Sequence, residues 1–187
     1  AALFEEKRKI RFRDMAKIGF RGFAFAKIGQ YVQEKLGKSV GVAPGSEMKA
    51  ALEMARKQHL EVAFIDQPIQ ITLRNFSKEL SWKERFRFLG DMIKGLLFPK
   101  RTMKELGLDT MDLRKVPSNH LIEKMVTQLR SRYPSVYKTL VEDRNKYMVK
   151  QLVKLRKEHP EKKILVVVGA GHEKGMKEML RKIDVVR

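Results

Sequence analysis

Cysteine is absent from the 187 residues, which excludes a disulfide framework, a thiolate metal site and a cysteine nucleophile. The same absence leaves the redox compartment open. Long apolar runs are missing too. The longest, Ile164-Leu165-Val166-Val167-Val168, is far too short to span a bilayer. Lys7, Arg8 and Lys9 are not followed by the apolar stretch that a signal peptide needs, so the chain as it stands reads as soluble. Acids are scarce beside bases, 22 against 41, for a formal charge of +19. Such a field favours anionic partners, nucleic acid or an anionic membrane surface. The basic residues are nevertheless spread along the chain and interrupted by acids. No arginine-rich arm, helix-turn-helix spacing or basic stripe interleaved with stacking aromatics is present, so a nucleic-acid function is not expected. Phosphate-only binding would collapse at physiological salt. With 43% hydrophobic residues, the chain can build one good-sized domain, or one domain with a helical appendage. The lack of cysteine with 34% charged residues fits a heat-loving source, against which ten methionines weigh.

The chain divides into a helical segment, 1–37, and a core, 38–187. Residues 3–36 read as helix in two pieces, with Gly19, Gly22 and Gly29 weakening the pattern and Phe20, Phe23 and Phe25 crowding its middle. Basic and apolar residues alternate there, which suits a packing helix with a solvated basic face or a membrane-surface element. A helix is expected from Ser46 to His59, then a buried strand, Val62-Ala63-Phe64-Ile65, ending at Asp66. Pro68 suits the first turn of the next helix, with Asp66 as its cap, and Ile69, Leu73, Phe76 and Leu80 share one face. Ser81-Trp82-Lys83-Glu84 reads as a capping box opening a helix that stops before Pro99, and a short piece follows at 102–107. Helices at about 118–132 and 135–158 are parted by Pro134. A buried strand, Lys163–Val168, then enters the turn Gly169-Ala170-Gly171 and a last helix running to about Lys182. With a third strand at Val40-Gly41-Val42, the order reads as α/β, a small central sheet flanked by many helices. So small a sheet usually has further strands. These are expected upstream of Ala1, or from a second chain in a homodimer.

Three places could hold chemistry. Gly169-Ala170-Gly171-His172 follows an apolar run and opens a helix, where N–H groups face a ligand and glycines allow close approach. A dinucleotide fingerprint fits poorly, because Gly175 stands one position too far on. His172 is a functional candidate or a plain helix N-terminal residue. His59 and His159 fall near helix C-termini and, with His120, read as structural or exposed. Glu47 falls in a first helical turn, where it either stabilises the helix N-terminus or points inward beside a metal or reacting group. Arg144 is the third. At ~100° per residue, Tyr137, Leu140, Tyr147, Met148 and Leu155 fall within about 65° of it, whereas Asn145 lies well off that centre. A guanidinium on an apolar face needs an anion, either Glu47 or a ligand carboxylate or phosphate.

Four stretches in order resemble the TraB/PrgY family, related to the TIKI metalloproteases and GumN-like proteins. They are Gly41-Val42-Ala43-Pro44-Gly45-Ser46-Glu47-Met48-Lys49-Ala50-Ala51, then Ile65-Asp66 with Ile69-Gln70-Ile71-Thr72-Leu73, then Leu140-Val141-Glu142-Asp143-Arg144-Asn145-Lys146-Tyr147-Met148, and Val168-Gly169-Ala170-Gly171-His172. The resemblance implies two similar α/β halves around one pocket and a metal-dependent peptidase of the pheromone-inactivation type, acting on short peptides. A divalent ion, Mn²⁺ or Co²⁺, would polarise the peptide carbonyl and activate water. By the same resemblance His172 and Glu47 lie near the metal. Arg144 orients Glu47 or holds a substrate carboxylate, and Asn145, Gly169 and Gly171 contact substrate. Departures from the family pattern are the missing opening Gly-x-x-His motif with its following Glu, Gln67 where an arginine is expected, and Asp143 in place of Glu. Many microbial members carry C-terminal membrane spans, which implies membrane association of a longer protein. Two other functions compete: a module that sequesters peptides without cutting them, and a membrane-surface scaffold using the basic N-terminal helices.

Overall fold

The computed structural model describes residues 45–98, 101, 104–105 and 118–185. The helix expected over 3–36, the strand at Val40-Gly41-Val42 and all but Lys104 and Glu105 of the piece at 102–107 lie outside the described residues. The elements in order are α1 (Ser46–Lys57), α2 (Ile69–Glu79), α3 (Trp82–Leu97), α4 (Asn119–Arg132), α5 (Pro134–Tyr137), a π-helical segment (Lys138–Glu142), α6 (Asp143–Glu158) and α7 (Ala170–Val185).

Local signals set most of the boundaries. Gly45 caps α1 at φ 83°, a left-handed conformation that favours glycine. Ser81 accepts from the Glu84 N–H, while the Glu84 carboxylate accepts from the Ser81 N–H and hydroxyl, which closes the expected capping box of α3. Ser118 caps α4 by accepting from Leu121 N–H. Pro134 opens α5, where its missing N–H costs nothing. The buried Thr139 hydroxyl donates back to Ser135 O at 2.9 Å, in the π-helical segment that joins α5 to α6 without a break.

The core lies between α6 and α7. Met148, Val149 and Leu152 meet Met176, and Ile65, Val153, Val168, Met179, Leu180 and Ile183 pack around them. Emptying such a site, as in Leu152→Ala, costs on the order of 2–5 kcal/mol. A second buried group comes from α2, whose Thr72, Leu73 and Phe76 face inward. α2 packs against α5 and the π-helical segment, which also contains the buried Thr139. Of the expected α2 face, Leu73 and Phe76 are buried and Ile69 is exposed.

The α/β expectation, a small central sheet flanked by many helices in two similar halves around one pocket, is corrected. Among the described residues the fold is all helical, with no strand. Residues 60–65 and 163–168 run without helix or ladder, and only Ile65 and Val168 pack on the core. Leu165, at 88% exposure, faces solvent. Lys162, just ahead of the second segment, reaches the first through Nζ to Glu61 Oε2 at 2.7 Å, a side-chain bond and not a backbone one. A short apolar run specifies an extended, partly buried backbone, but a strand also needs a partner ladder, and a two-stranded pairing is marginal. Asp66 is likewise not the cap of α2. That place is taken by Pro68, without a side-chain bond.

Candidate functional site

The ends of three elements converge at one place: Asp66 ahead of α2, Arg144 and Asn145 in the first turn of α6, and His172 in the first turn of α7. The π-helical segment ends at Glu142, two residues before Arg144, and such irregularities often accompany function.

Arg144 forks onto Asp66. Its Nε donates to Oδ1 at 3.1 Å and its Nη2 to Oδ2 at 2.7 Å, while Nη1 donates to Leu140 O at 3.2 Å. The sequence demanded an anion for this guanidinium, and the chain supplies its own. Arg144 is 28% exposed and Asp66 52%, so the pair is a positioning device more than a source of stability. Burial raises the Asp66 carboxyl, but the Arg144 bonds and charge and the Gln67 N–H more than offset it. Its pKa therefore lies below the ordinary value.

Asn145 is 2% exposed and its Oδ1 stands 2.7 Å from His172 Nδ1. With the amide oxygen facing the ring, Nδ1 carries the proton and Nε2 keeps a free lone pair. Burial lowers the His172 pKa below 6.5. The charge of Arg144 lowers it further, and Asp66 partly opposes. The imidazole is therefore neutral at pH 7, with its orientation fixed from behind. Such a group can accept a proton or a metal through Nε2. The site is kept tight by Gly175, where an added Cβ would come under 3.0 Å from the Asn145 amide nitrogen.

The structure thus brings together three of the residues singled out in the sequence, Arg144, Asn145 and His172, and adds Asp66. Gly169 O accepts from His172 N–H at 2.9 Å. A methyl at Gly169 or Gly171 would meet only ordinary contacts, so space does not demand glycine at either. Glu47 is placed in the first turn of α1 and is exposed. Among the described residues it makes no bond to Arg144 or His172. Asp66 and Gly175 were missed. The signal for Asp66 was the anion that Arg144 required, since Asp66 follows an apolar run that the same reasoning had buried. Nothing in the sequence pointed to Gly175 as the seat of Asn145.

The divalent ion implied by the resemblance meets a poor donor set. Among the described residues no three His, Asp or Glu side chains gather. His172 offers Nε2, but both Asp66 oxygens already receive N–H groups and a guanidinium stands beside them. One imidazole is a ligand and not a site. Among the described residues, no helix is long and apolar enough to cross a membrane.

Similarity to known proteins agrees with the motifs. An uncharacterized protein of Methanocaldococcus jannaschii is 32% identical over 180 residues, 96% of this chain. A human TraB domain-containing protein is 24% identical over 175 residues, 86% of this chain. The chain spans 43% of the length of each. No solved structure matches it. A model of the TraB/PrgY/gumN family matches residues 21–185, and the chain belongs to that family.

Proposed function

We propose that this domain acts on short peptides as the imidazole-bearing part of a hydrolase site. The observation that supports it is His172 itself: neutral, half-buried, bound through Nδ1 by a buried Asn145, and within the electrostatic reach of the Asp66–Arg144 pair. In this reading Nε2 takes a proton from water as it attacks the peptide carbonyl, and returns it to the departing amine. Asp66, half-exposed and held by Arg144, accepts hydrogen bonds from the peptide's N–H or amino group. The divalent ion expected from the family would need ligands beyond the described residues. The test is incubation of the chain and of His172→Ala with a pooled short-peptide library, with and without Mn²⁺, read by mass spectrometry. Cleavage by the chain, abolished in the variant, is expected. Cleavage that survives the variant would contradict the role of His172.

One observation favours a second reading, peptide sequestration without cleavage: the half-exposed Asp66 carboxylate is held in place by Arg144 and can bind a peptide amino group whether or not His172 moves a proton. In that case the same library returns intact, and selected peptides are retained on the immobilised chain.

A further inference from the structure

Helix α3 is built inside out. At ~100° per residue, Trp82, Phe86, Leu89, Ile93 and Leu97 fall within an arc of about 80°. All five are exposed, with Trp82 at 66%, Phe86 at 69% and Leu97 at 64%. The opposite side carries both acids of the helix together with Phe88, whose ring meets Tyr133 edge-on, and faces the protein. Glu84, 3% exposed, accepts from Ser135 N–H at 2.7 Å and from Ser81. Asp91 binds Arg132 and the Tyr133 hydroxyl. These are the two acids of α3, and both are turned inward and committed. The apolar arc is therefore not a core face that slipped. Polar bonds on the far side fix its outward direction.

The borders of the arc are basic. Lys83 and Arg87 are exposed on one side, and on the other Arg85 lies 4.4 Å over the Trp82 ring. Trp82 and Phe86 stack with centroids 6.3 Å apart. A helix of 16 residues with an aromatic and aliphatic face, cationic shoulders and no free acid matches an element lying in the plane of a membrane interface. Charge decides between occupants. A second copy would set the same cationic shoulders, on chains of +19 each, against one another. An anionic lipid surface is attracted by both. We propose that the exposed face of α3 docks this domain on an anionic membrane surface, with Trp82, Phe86 and Ile93 entering the headgroup–acyl boundary.

The chain contains a single tryptophan, which sits on this face and reports on it directly. The experiment titrates the chain with phosphatidylcholine vesicles, with and without phosphatidylglycerol, at physiological salt. Emission of Trp82 is followed with and without brominated acyl chains. The expected result is a blue shift and bromine quenching with anionic vesicles only, weakened about tenfold or more in Phe86→Glu/Ile93→Glu, whose circular dichroism is unchanged. Pelleting without quenching, or unaffected by the variant, would overturn the proposal and leave bulk charge as the cause. An equal response to neutral vesicles would overturn its electrostatic half. Emission already blue-shifted without vesicles would overturn it in favour of another occupant: a second copy if dilution reverses the shift, another part of the chain if it does not.

Discussion

Replacing Gly175 by alanine should destabilise the domain, although the same change helps most helices. Gly175 lies inside α7, where alanine is favoured over glycine by up to about 1 kcal/mol. Against this, the new Cβ would stand under 3.0 Å from the Asn145 amide nitrogen and 3.6 Å from its Cγ. Asn145 has little freedom to retreat, being buried to 2% exposure and bonded to His172. Overpacking costs about 1–3 kcal/mol, and loss of the bond to His172 about another 1. The net is a loss of about 1–3 kcal/mol, or a Tm drop of roughly 2–12 °C at 2–4 °C per kcal/mol. Gly90 in α3 is the control, since a Cβ there meets nothing within 4 Å. Gly90→Ala should raise stability by up to about 1 kcal/mol. Thermal and urea melts of both variants would settle the matter. If Gly175→Ala matched or exceeded the parent, Asn145 would not be seated against α7 as described, and the hold on His172 would fail with it.

Further expectations follow from the same geometry. Ser81→Ala should lower stability by about 1 kcal/mol in a urea melt through loss of the α3 cap. Glu84→Gln should cost about 1–3 kcal/mol by the same assay, because an amide turns a donor toward Ser135 N–H or Ser81. The lowered His172 pKa means that the unfolded chain protonates first. Stability should therefore hold above about pH 6.5, fall as pH drops from there to the folded pKa, and lose that fall in His172→Gln. Asp66 and Glu84 also have lowered pKa values, so their contributions persist above their ordinary pKa values and disappear as pH falls through the folded ones. Asp66→Asn should move the His172 midpoint down and Arg144→Gln should move it up, in a histidine NMR titration, since the two charges act on it with opposite sign.

What could be read from the sequence was what local rules govern. The capping box at Ser81–Glu84, the break at Pro134 and the helix that begins at Asn119 are set by neighbours within a turn and stand within a residue of the expectation, whereas the last helix begins at Ala170, inside the turn expected at Gly169-Ala170-Gly171. The demand of Arg144 for an anion was also legible, because a guanidinium on an apolar face cannot shed its charge. Its partner was not, since Asp66 is 78 residues away and looked like a helix cap. Asn145 was placed off the apolar face by a wheel of constant pitch. The same wheel drawn over α6 alone puts Asn145 with the buried Met148, Val149 and Leu152, about 90° round from Arg144, so the error lay in centring the apolar face on Arg144. The sheet failed for another reason. Val62–Ile65 and Ile164–Val168 have the composition of strands, but pairing is a property of two segments and cannot be read from either alone.

The most direct test of the central claim is the protonation state of His172, read from ¹⁵N-edited histidine spectra across a pH titration and assigned by loss of the signal in His172→Gln. A midpoint below 6.5, with the neutral ring protonated on Nδ1, is the result expected of an imidazole held by Asn145 with Nε2 free. A midpoint at or above 6.5, with the proton on Nε2, would contradict both the geometry of the site and the role proposed for it.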